Sequence, residues 1–76
     1  LITRIYEIYV DIIDKAGAIA TIATILAKNH ISMKNIGIIH NREFEEGVLR
    51  IEFYNEESLN QTVDLLRKCS YAVYER

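Results

Sequence analysis

The hydrophobic positions of this 76-residue chain follow two periods that alternate along the sequence. Alternating apolar and polar residues are typical of half-buried strands, whereas apolar residues three and four positions apart are typical of amphipathic helices. The strand-like segments predict four strands, over residues 5–13, 32–41, 48–54 and 71–75. The helical spacing predicts two helices, over residues 17–29 and 56–68.

The ends of the predicted helices carry residues that commonly cap helices. Asp14 is placed to cap the first helix, and Asn29 to follow its last turn as the C′ residue. Asn55 is placed to cap the second helix, whose first turn is acidic and whose last turn is basic, as the helix dipole favours. The predicted core-facing positions are Ile19, Ile22, Ala23 and Leu26 in the first helix and Leu59, Val63 and Leu66 in the second.

The order of elements, βαββαβ, predicts an α+β domain with the ferredoxin-like arrangement. In this arrangement a four-stranded antiparallel sheet carries both helices on one face. A short turn over residues 42–47, acidic apart from its arginine, is expected to join two of the strands as a hairpin. The face without helices carries Tyr9, Ile39 and Val48 among charged residues. We expect that face, or a sheet edge, to contact another domain or a second copy.

The composition limits the classes of function. Half of the residues are apolar, 26% are charged, and the net charge is −2. Acidic and basic residues are mixed along the chain, so no binding to nucleic acid or to a membrane is expected. The single cysteine, Cys69, excludes an internal disulfide and fits a reducing cytoplasm. Because the chain begins with Leu1, we expect one domain, over residues 1–76, from a longer protein.

Side chains suited to catalysis are few and scattered. His30, His40 and Cys69 are the main candidates, and no set of serine, histidine and acid has a convincing arrangement. None of the three glycines falls in a GxGxxG pattern, and one cysteine cannot supply the paired thiols of a heavy-metal site. We therefore expect structural or surface roles for the histidines, a packing role for the cysteine, and no active site in this chain.

The junction between the first strand and the first helix is the strongest sign of a binding site. The strand runs into a charged turn, then Gly17, then the helix, and the first N–H groups of a helix have no partner within it. Such an end attracts a carboxylate, here at residues 17–19. Asp14 would face a ligand ammonium, and Ser32 and Asn35 add polar groups, so the site fits an amino acid. A turn that only caps and packs the helix stays open as the alternative.

These segments resemble the ACT domains, small-molecule-sensing modules attached to many enzymes of amino-acid metabolism. The matching segments are Tyr9-Val10-Asp11, Asp14-Lys15-Ala16-Gly17, Ile19 to Leu26, and Ile31-Ser32-Met33-Lys34-Asn35-Ile36. A narrower resemblance, to the C-terminal ACT domains of Gram-positive-type prephenate dehydrogenases, adds Arg42-Glu43 and Gly47-Val48-Leu49-Arg50-Ile51. Ala16 stands where the family usually has proline, and Ser32 replaces the asparagine of the best-known amino-acid-binding members.

The resemblance implies a site, a ligand and partners. The effector-binding residues would be Asp14, Ala16, Gly17, Ala18, Ile19, Ser32, Met33, Asn35 and Ile36. The ligand would be an aromatic amino acid, with L-tyrosine as the first choice, and the domain would pair with a second copy. Upstream domains would use NAD to decarboxylate prephenate oxidatively, so no cofactor is expected in this chain. A ligand-free dimerisation module, or an ACT domain of another enzyme, is the alternative.

Overall fold

The computed structural model describes residues 4–13, 15–40 and 47–75, and it confirms the order of elements. The strands are β1 (Tyr6–Ile12), β2 (Met33–His40), β3 (Gly47–Phe53) and β4 (Val73–Glu75), and the helices are α1 (Lys15–Lys28) and α2 (Glu56–Lys68). The strand pairs are antiparallel, in the order β2-β3-β1-β4. The ferredoxin-like α+β sandwich expected from the sequence is therefore confirmed.

The core lies between the sheet and the two helices. Alternate residues of β1 and β3 enter it, because successive side chains of a strand point to opposite faces. Its buried apolar residues are Ile8, Val10, Ile12, Ala18, Ile22, Leu26, Ile31, Leu49, Ile51, Phe53, Leu59, Val63, Leu66 and Val73. The stripe predicted for the second helix is confirmed in full.

The buried stripe of α1 is rotated relative to the sequence prediction. Ala18, Ile22 and Leu26, four residues apart, are buried, so they define the line of α1 that faces the core. Ile19 is half-buried, and Ala23 is exposed. The assignment of Ala23 to the core is wrong, because this residue lies about 100° around the helix from Ile22.

The C-terminus of α1 is closed by a left-handed residue. His30 has φ 54°, and the next N–H, that of Ile31, donates to the carbonyl of Leu26 at 3.0 Å. This is the Schellman arrangement, in which the left-handed residue is C′. The prediction that Asn29 is C′ is therefore wrong by one residue. Asn29 lies before it, and its side-chain amide donates to the carbonyl of Ile25 at 2.8 Å.

The caps of α2 follow the same rules at both ends. The side chain of Asn55 accepts the N–H of Ser58 at 2.8 Å, so the predicted N-cap is confirmed. At the other end Ser70 has φ 68°, and the N–H of Tyr71 donates to the carbonyl of Leu66 at 3.0 Å. The two helices thus end in the same motif, and each leads directly into a strand.

The sheet face opposite the helices carries charged pairs. Glu7 lies on this face, as the alternation predicts, but its side chain is only 3% exposed. It forms an ion pair with Arg50 of β3, and this hydrogen bond raises the pKa of the guanidinium. Lys34 and Glu52 form a second pair on the sheet, at 3.7 Å. The buried carboxylate was not evident from the sequence, because its partner is 43 residues away.

One edge of the sheet is long and apolar. β2 forms this edge and has eight residues, whereas the other edge strand, β4, has three. Ile36 and Ile38 pair with Ile51 and Leu49, which lie under the helices, yet both are more than 40% exposed. Ile39, which points to the opposite face, is 49% exposed. An edge of this length and composition is a template for pairing with another strand.

Candidate functional site

The first turn of α1 begins two residues earlier than the sequence predicted. The helix starts at Lys15, so Ala16 and Gly17 belong to its first turn rather than to the preceding loop. Both are exposed, whereas Ala18 is buried and Ile19 is half-buried. The positive end of the helix dipole is therefore flanked by small, exposed residues, which leaves room for a ligand anion.

A groove lies beside this first turn, between α1 and the connection from α2 to β4. We call it the α1–β4 groove. Its volume is about 540 Å³, within the range of pockets that hold small molecules. It is lined by Asp11, Ile13, Gly17, Ala18, Thr21, Ser70, Tyr71 and Ala72.

Backbone hydrogen bonds fix the far wall of the groove. The N–H of Asp11 donates to the carbonyl of Ala72 at 3.1 Å, which ties the end of β1 to the approach to β4. The N–H of Ser70 donates to the carbonyl of Arg67 at 3.0 Å as part of the α2 cap. The wall is therefore built from backbone that the sheet and a helix end hold in place.

Asp11 is the charged residue among those that line the groove, and its exposed side chain lies on the sheet face without helices, because it alternates with the buried Val10 and Ile12. The hydroxyl of Tyr74 donates to its carboxylate at 3.2 Å. The negative charge of Asp11, together with this hydrogen bond, raises the pKa of the Tyr74 hydroxyl. A carboxylate has several acceptor positions, so Asp11 can also accept hydrogen bonds from an ammonium.

The remaining residues of the expected site lie at the start of β2. Ser32, Asn35 and Ile36 are exposed and Met33 is half-buried. The carbonyl oxygen of Asn35 accepts the backbone N–H of Ile36 at 2.9 Å, next to an irregularity in the pairing with β3. These four residues are neighbours in sequence, so their nearness follows from the chain itself.

The two halves of the expected site lie at opposite ends of the sheet. Ile12, the last residue of β1, pairs with Gly47, and Gly47 pairs with His40. Asn35 lies five residues before His40 on the same strand, which corresponds to about 17 Å at 3.3–3.4 Å per residue. Within one chain, the start of α1 and the start of β2 are therefore not brought together.

Other residues singled out in the sequence have simpler placements. Asp14, Arg42 and Glu43 lie outside the described residues. His30 is exposed at the end of α1, in agreement with a surface role. Cys69 is also exposed, so the expected packing role is wrong: the residue is the C-cap of α2 and points away from the core.

The described part of the chain contains neither a candidate metal site nor a candidate membrane-spanning helix. Among these residues no group of three or more histidine, cysteine, aspartate or glutamate side chains could hold a metal ion. No helix in the described ranges is long and apolar enough to cross a membrane.

Comparison with known proteins shows a relative that matches this chain in both fold and sequence. No protein-family profile matches the chain. The crystal structure of the ACT domain of prephenate dehydrogenase from Bacillus anthracis superposes with a TM-score of 0.84 and 41% sequence identity, covering 90% of this chain and 99% of that one. The chain belongs to the family of prephenate dehydrogenase ACT domains. The resemblance noted in the sequence is therefore confirmed.

Further comparisons show how much of a whole prephenate dehydrogenase this chain covers, and which other proteins share its fold. Prephenate dehydrogenase of Bacillus subtilis is 45% identical over 56 residues, which are 74% of this ACT domain and 15% of the length of that enzyme. A protein from Bacteroides thetaiotaomicron superposes with a TM-score of 0.71 at 20% identity, covering 92% of this chain and 45% of that one. Formyltetrahydrofolate deformylase from Burkholderia mallei superposes with a TM-score of 0.63 at 9% identity, covering 90% of this chain and 26% of that one. The last two likenesses concern the fold alone.

Six residues of the groove were not among the expected site residues: Asp11, Ile13, Thr21, Ser70, Tyr71 and Ala72. The first two precede the β1–α1 turn directly, so their nearness to it was visible in the sequence. Ser70 and Tyr71 come from the other end of the chain, and only the packing of α2 and β4 beside β1 brings them to this turn. No local pattern could have identified them.

Proposed function

We propose that this ACT domain is the regulatory, amino-acid-binding domain of a prephenate dehydrogenase and that it senses L-tyrosine. The observation that carries the proposal is the exposed first turn of α1 beside a groove of small-molecule size, in a domain of this family. The NAD-dependent oxidative decarboxylation of prephenate would belong to other domains of the parent enzyme, and the enzyme would be cytoplasmic.

The chemistry of the site suits a zwitterion. A ligand carboxylate is attracted by the positive end of the α1 dipole, and it can approach the backbone because Ala16 has only a methyl group and Gly17 has no side chain. A ligand ammonium needs an acidic partner close by, and Asp14 is the residue that the family pattern offers. An amino acid presents both charges at the required short separation.

Pairing through β2 would bring the two halves of the expected site together. In an antiparallel pair of identical strands, the start of one lies beside the end of the other. The end of β2 is at the same end of the sheet as the start of α1, by the register of Ile12, Gly47 and His40. Ser32 and Asn35 of a second copy would therefore lie near the first turn of α1. The exposed isoleucines of β2 support this mode of pairing.

Regulation then follows from differential affinity. If the ligand binds one arrangement of the paired domains more tightly than another, it shifts the equilibrium between them by the ratio of the two affinities. Catalytic domains attached to the pair would report that shift as a change in activity.

Isothermal calorimetry of the protein with L-tyrosine tests the ligand. We expect saturable binding by the wild-type chain and none by Gly17→Asp, because the new carboxylate repels that of the ligand. An aspartate in the first turn of a helix interacts favourably with the dipole, so the variant should remain folded. Thr24→Asp, on the exposed side of the third turn, is the matched control and should bind normally. Absence of heat and of a thermal shift at millimolar tyrosine would refute the proposed ligand.

A second function, dimerisation without a ligand, is favoured by the exposed apolar edge of β2. Sedimentation equilibrium separates the two proposals. Both expect Ile38→Lys to weaken the dimer, because the exposed isoleucine would lie in the pairing edge. Only the regulatory proposal expects tyrosine to strengthen the dimer of the wild-type chain. A dimer that tyrosine leaves unchanged would favour the ligand-free function.

A further inference from the structure

We propose that the sheet face without helices docks against the catalytic part of the same enzyme. Tyr9 and Tyr74 supply its aromatic contacts, and Asp11 accepts a basic side chain of that partner. This inference rests on the proposed function, which assigns the reaction to other domains, and adds the surface through which they contact this one. We call the surface the helix-free face. It consists of Glu7, Tyr9 and Asp11 of β1, Gly37 and Ile39 of β2, Val48, Arg50 and Glu52 of β3, and Tyr74 of β4.

A row of residues suited to an interface crosses the middle of the helix-free face. Tyr74 lies opposite Tyr9, Tyr9 lies opposite Arg50, and Arg50 lies opposite Gly37. Tyr74 is 54% exposed, and Tyr9 and Arg50 are half-buried. A side chain at Gly37 would meet nothing within 4 Å, so the row ends in an open hollow. Tyrosine and arginine are enriched in protein interfaces, and the hollow gives a partner side chain room to insert.

The charges on this face determine the chemistry of its partner. Arg50 is paired with Glu7, and Lys34 is paired with the remaining acid of β3, Glu52. The exposed carboxylate of Asp11 accepts one hydroxyl group but has no cationic partner among the described residues. A surface that covers this carboxylate must supply a basic group, because burying an unpaired charge is costly. The described residues of a second helix-free face offer no unpaired cation, so the charges favour a different partner.

The area of the helix-free face favours a tethered partner. Four strands of at most eight residues, about 4.8 Å apart and with about 3.4 Å per residue, cover at most about 500 Å². Docking would therefore bury about 1,000 Å² over both partners, which is typical of domains within one chain and small for a durable complex of separate proteins. Domains joined by a short linker meet at an effective concentration of millimolar order, so a contact of this size is sufficient for them.

A prephenate dehydrogenase offers such a partner in its own chain. The matched residues are 15% of the Bacillus subtilis enzyme, so most of that enzyme lies outside this domain. The pairing proposed for β2 uses an edge of the sheet and leaves the helix-free face of both copies uncovered. Asp11 lies near the end of β1, and α1 begins at Lys15. The docking contact is therefore close in sequence to the first turn of α1, where the proposed ligand binds.

The test compares the rate at which a cysteine on the helix-free face reacts with a maleimide in the full-length enzyme and in the 76-residue chain alone. Val48→Cys is the reporter, because Val48 is half-buried and lies opposite Asp11. Thr24→Cys, on the exposed side of α1, is the matched control. Peptide mass spectrometry identifies the modified residue, so the exposed Cys69 does not interfere. At a millimolar effective concentration, a contact with a Kd of about 0.1 mM should slow the reporter about tenfold in the full-length enzyme and leave the control unchanged.

Asp11→Lys, added to the reporter, tests the charge of the contact. The new lysine would face the basic group of the partner, so the two labelling rates should agree within about twofold. Comparing the full-length enzyme with the chain alone cancels the direct effect of the lysine on the nearby thiol. Asp64→Lys, which makes the same change of charge on the exposed side of α2, should keep the protection. Tyr74→Ser removes an aromatic contact and should reduce the protection as well.

Equal labelling of Val48→Cys in the full-length enzyme and in the chain alone would overturn the proposal. Protection that appears in the chain alone as its concentration rises would assign the face to a second copy, and would overturn it too. Neither measurement contains L-tyrosine, so calorimetry with that ligand tests the proposed function separately. A chain that binds no tyrosine, yet is protected on this face in the full-length enzyme, would contradict the proposed ligand and support the docking surface.

Discussion

Replacing Thr62 by valine should stabilise this domain. Thr62 lies on the core side of α2 and is fully buried. Its hydroxyl oxygen has no hydrogen-bond partner among the described residues. A buried polar group without a partner loses its hydrogen bonds to water on folding and gains nothing in return. Valine keeps the branched shape of the side chain and removes the polar atom.

The size of the effect follows from the cost of burying such a group. Mutational data put that cost at about 1–3 kcal/mol, and the helix propensities of threonine and valine are nearly equal. We therefore expect Thr62→Val to raise the free energy of unfolding by about 1–2 kcal/mol. For a domain of this length each kcal/mol corresponds to about 4–8 °C in melting temperature.

Urea unfolding followed by circular dichroism measures the change, with thermal melting as the second readout. The denaturation midpoint should rise while the slope stays constant, because the surface exposed on unfolding hardly changes. Thr24→Val is the control: Thr24 is exposed, its hydroxyl donates to the carbonyl of Ala20 at 2.8 Å, and its replacement should change stability by less than about 0.5 kcal/mol. A loss of stability in Thr62→Val would show that the hydroxyl makes a bond in solution, and would refute the reasoning.

Three further changes test the caps and one surface contact. Ser70→Gly should stabilise by about 0.5–1 kcal/mol in thermal unfolding, because glycine adopts the left-handed backbone at φ 68° without strain. Asn55→Ala should cost about 1 kcal/mol in urea, because the N–H of Ser58 loses its acceptor. Tyr74 has a raised pKa beside Asp11, so its stabilising contribution is present below the unfolded pKa of about 10 and is lost as pH rises through the folded value. Stability of the wild type should fall more steeply than that of Tyr74→Phe above pH 10, and equal slopes would contradict this.

The fold could be predicted because its determinants are local. The alternation in β1 and β3 and the apolar spacing in α2 specify both the elements and the faces that enter the core. The capping of α2 by Asn55 is likewise local, because its partner Ser58 is only three residues further along the chain. The predictions for α1 failed where they depended on the exact rotation of the buried stripe around the helix, or on which residue at its end takes the left-handed φ angle. Ala23 and Ala18 are equally apolar, and nothing in the sequence shows that His30, rather than Asn29, adopts φ 54°.

The candidate site could be predicted only in part. The first turn of α1 was identified from a strand, a turn and a helix that are contiguous in sequence. The distance between this turn and Asn35 could not be read from the sequence, because it depends on the register of β2 against β3 and of β3 against β1. The same is true of Tyr71, which reaches the groove through the pairing of β1 with β4.

Because the two halves of the expected site are far apart within one chain, the apparent affinity for the ligand can depend on the concentration of the protein. If the bound amino acid needs the first turn of α1 from one copy and Asn35 from another, it binds the pair and not the monomer. Linkage then requires that ligand strengthen the dimer by the same factor by which dimerisation strengthens ligand binding. If the first turn of α1 and the groove beside it are sufficient, binding occurs within one chain, and the apparent affinity does not depend on protein concentration. A tyrosine titration at protein concentrations above and below the dimer dissociation constant therefore decides which residues form the site.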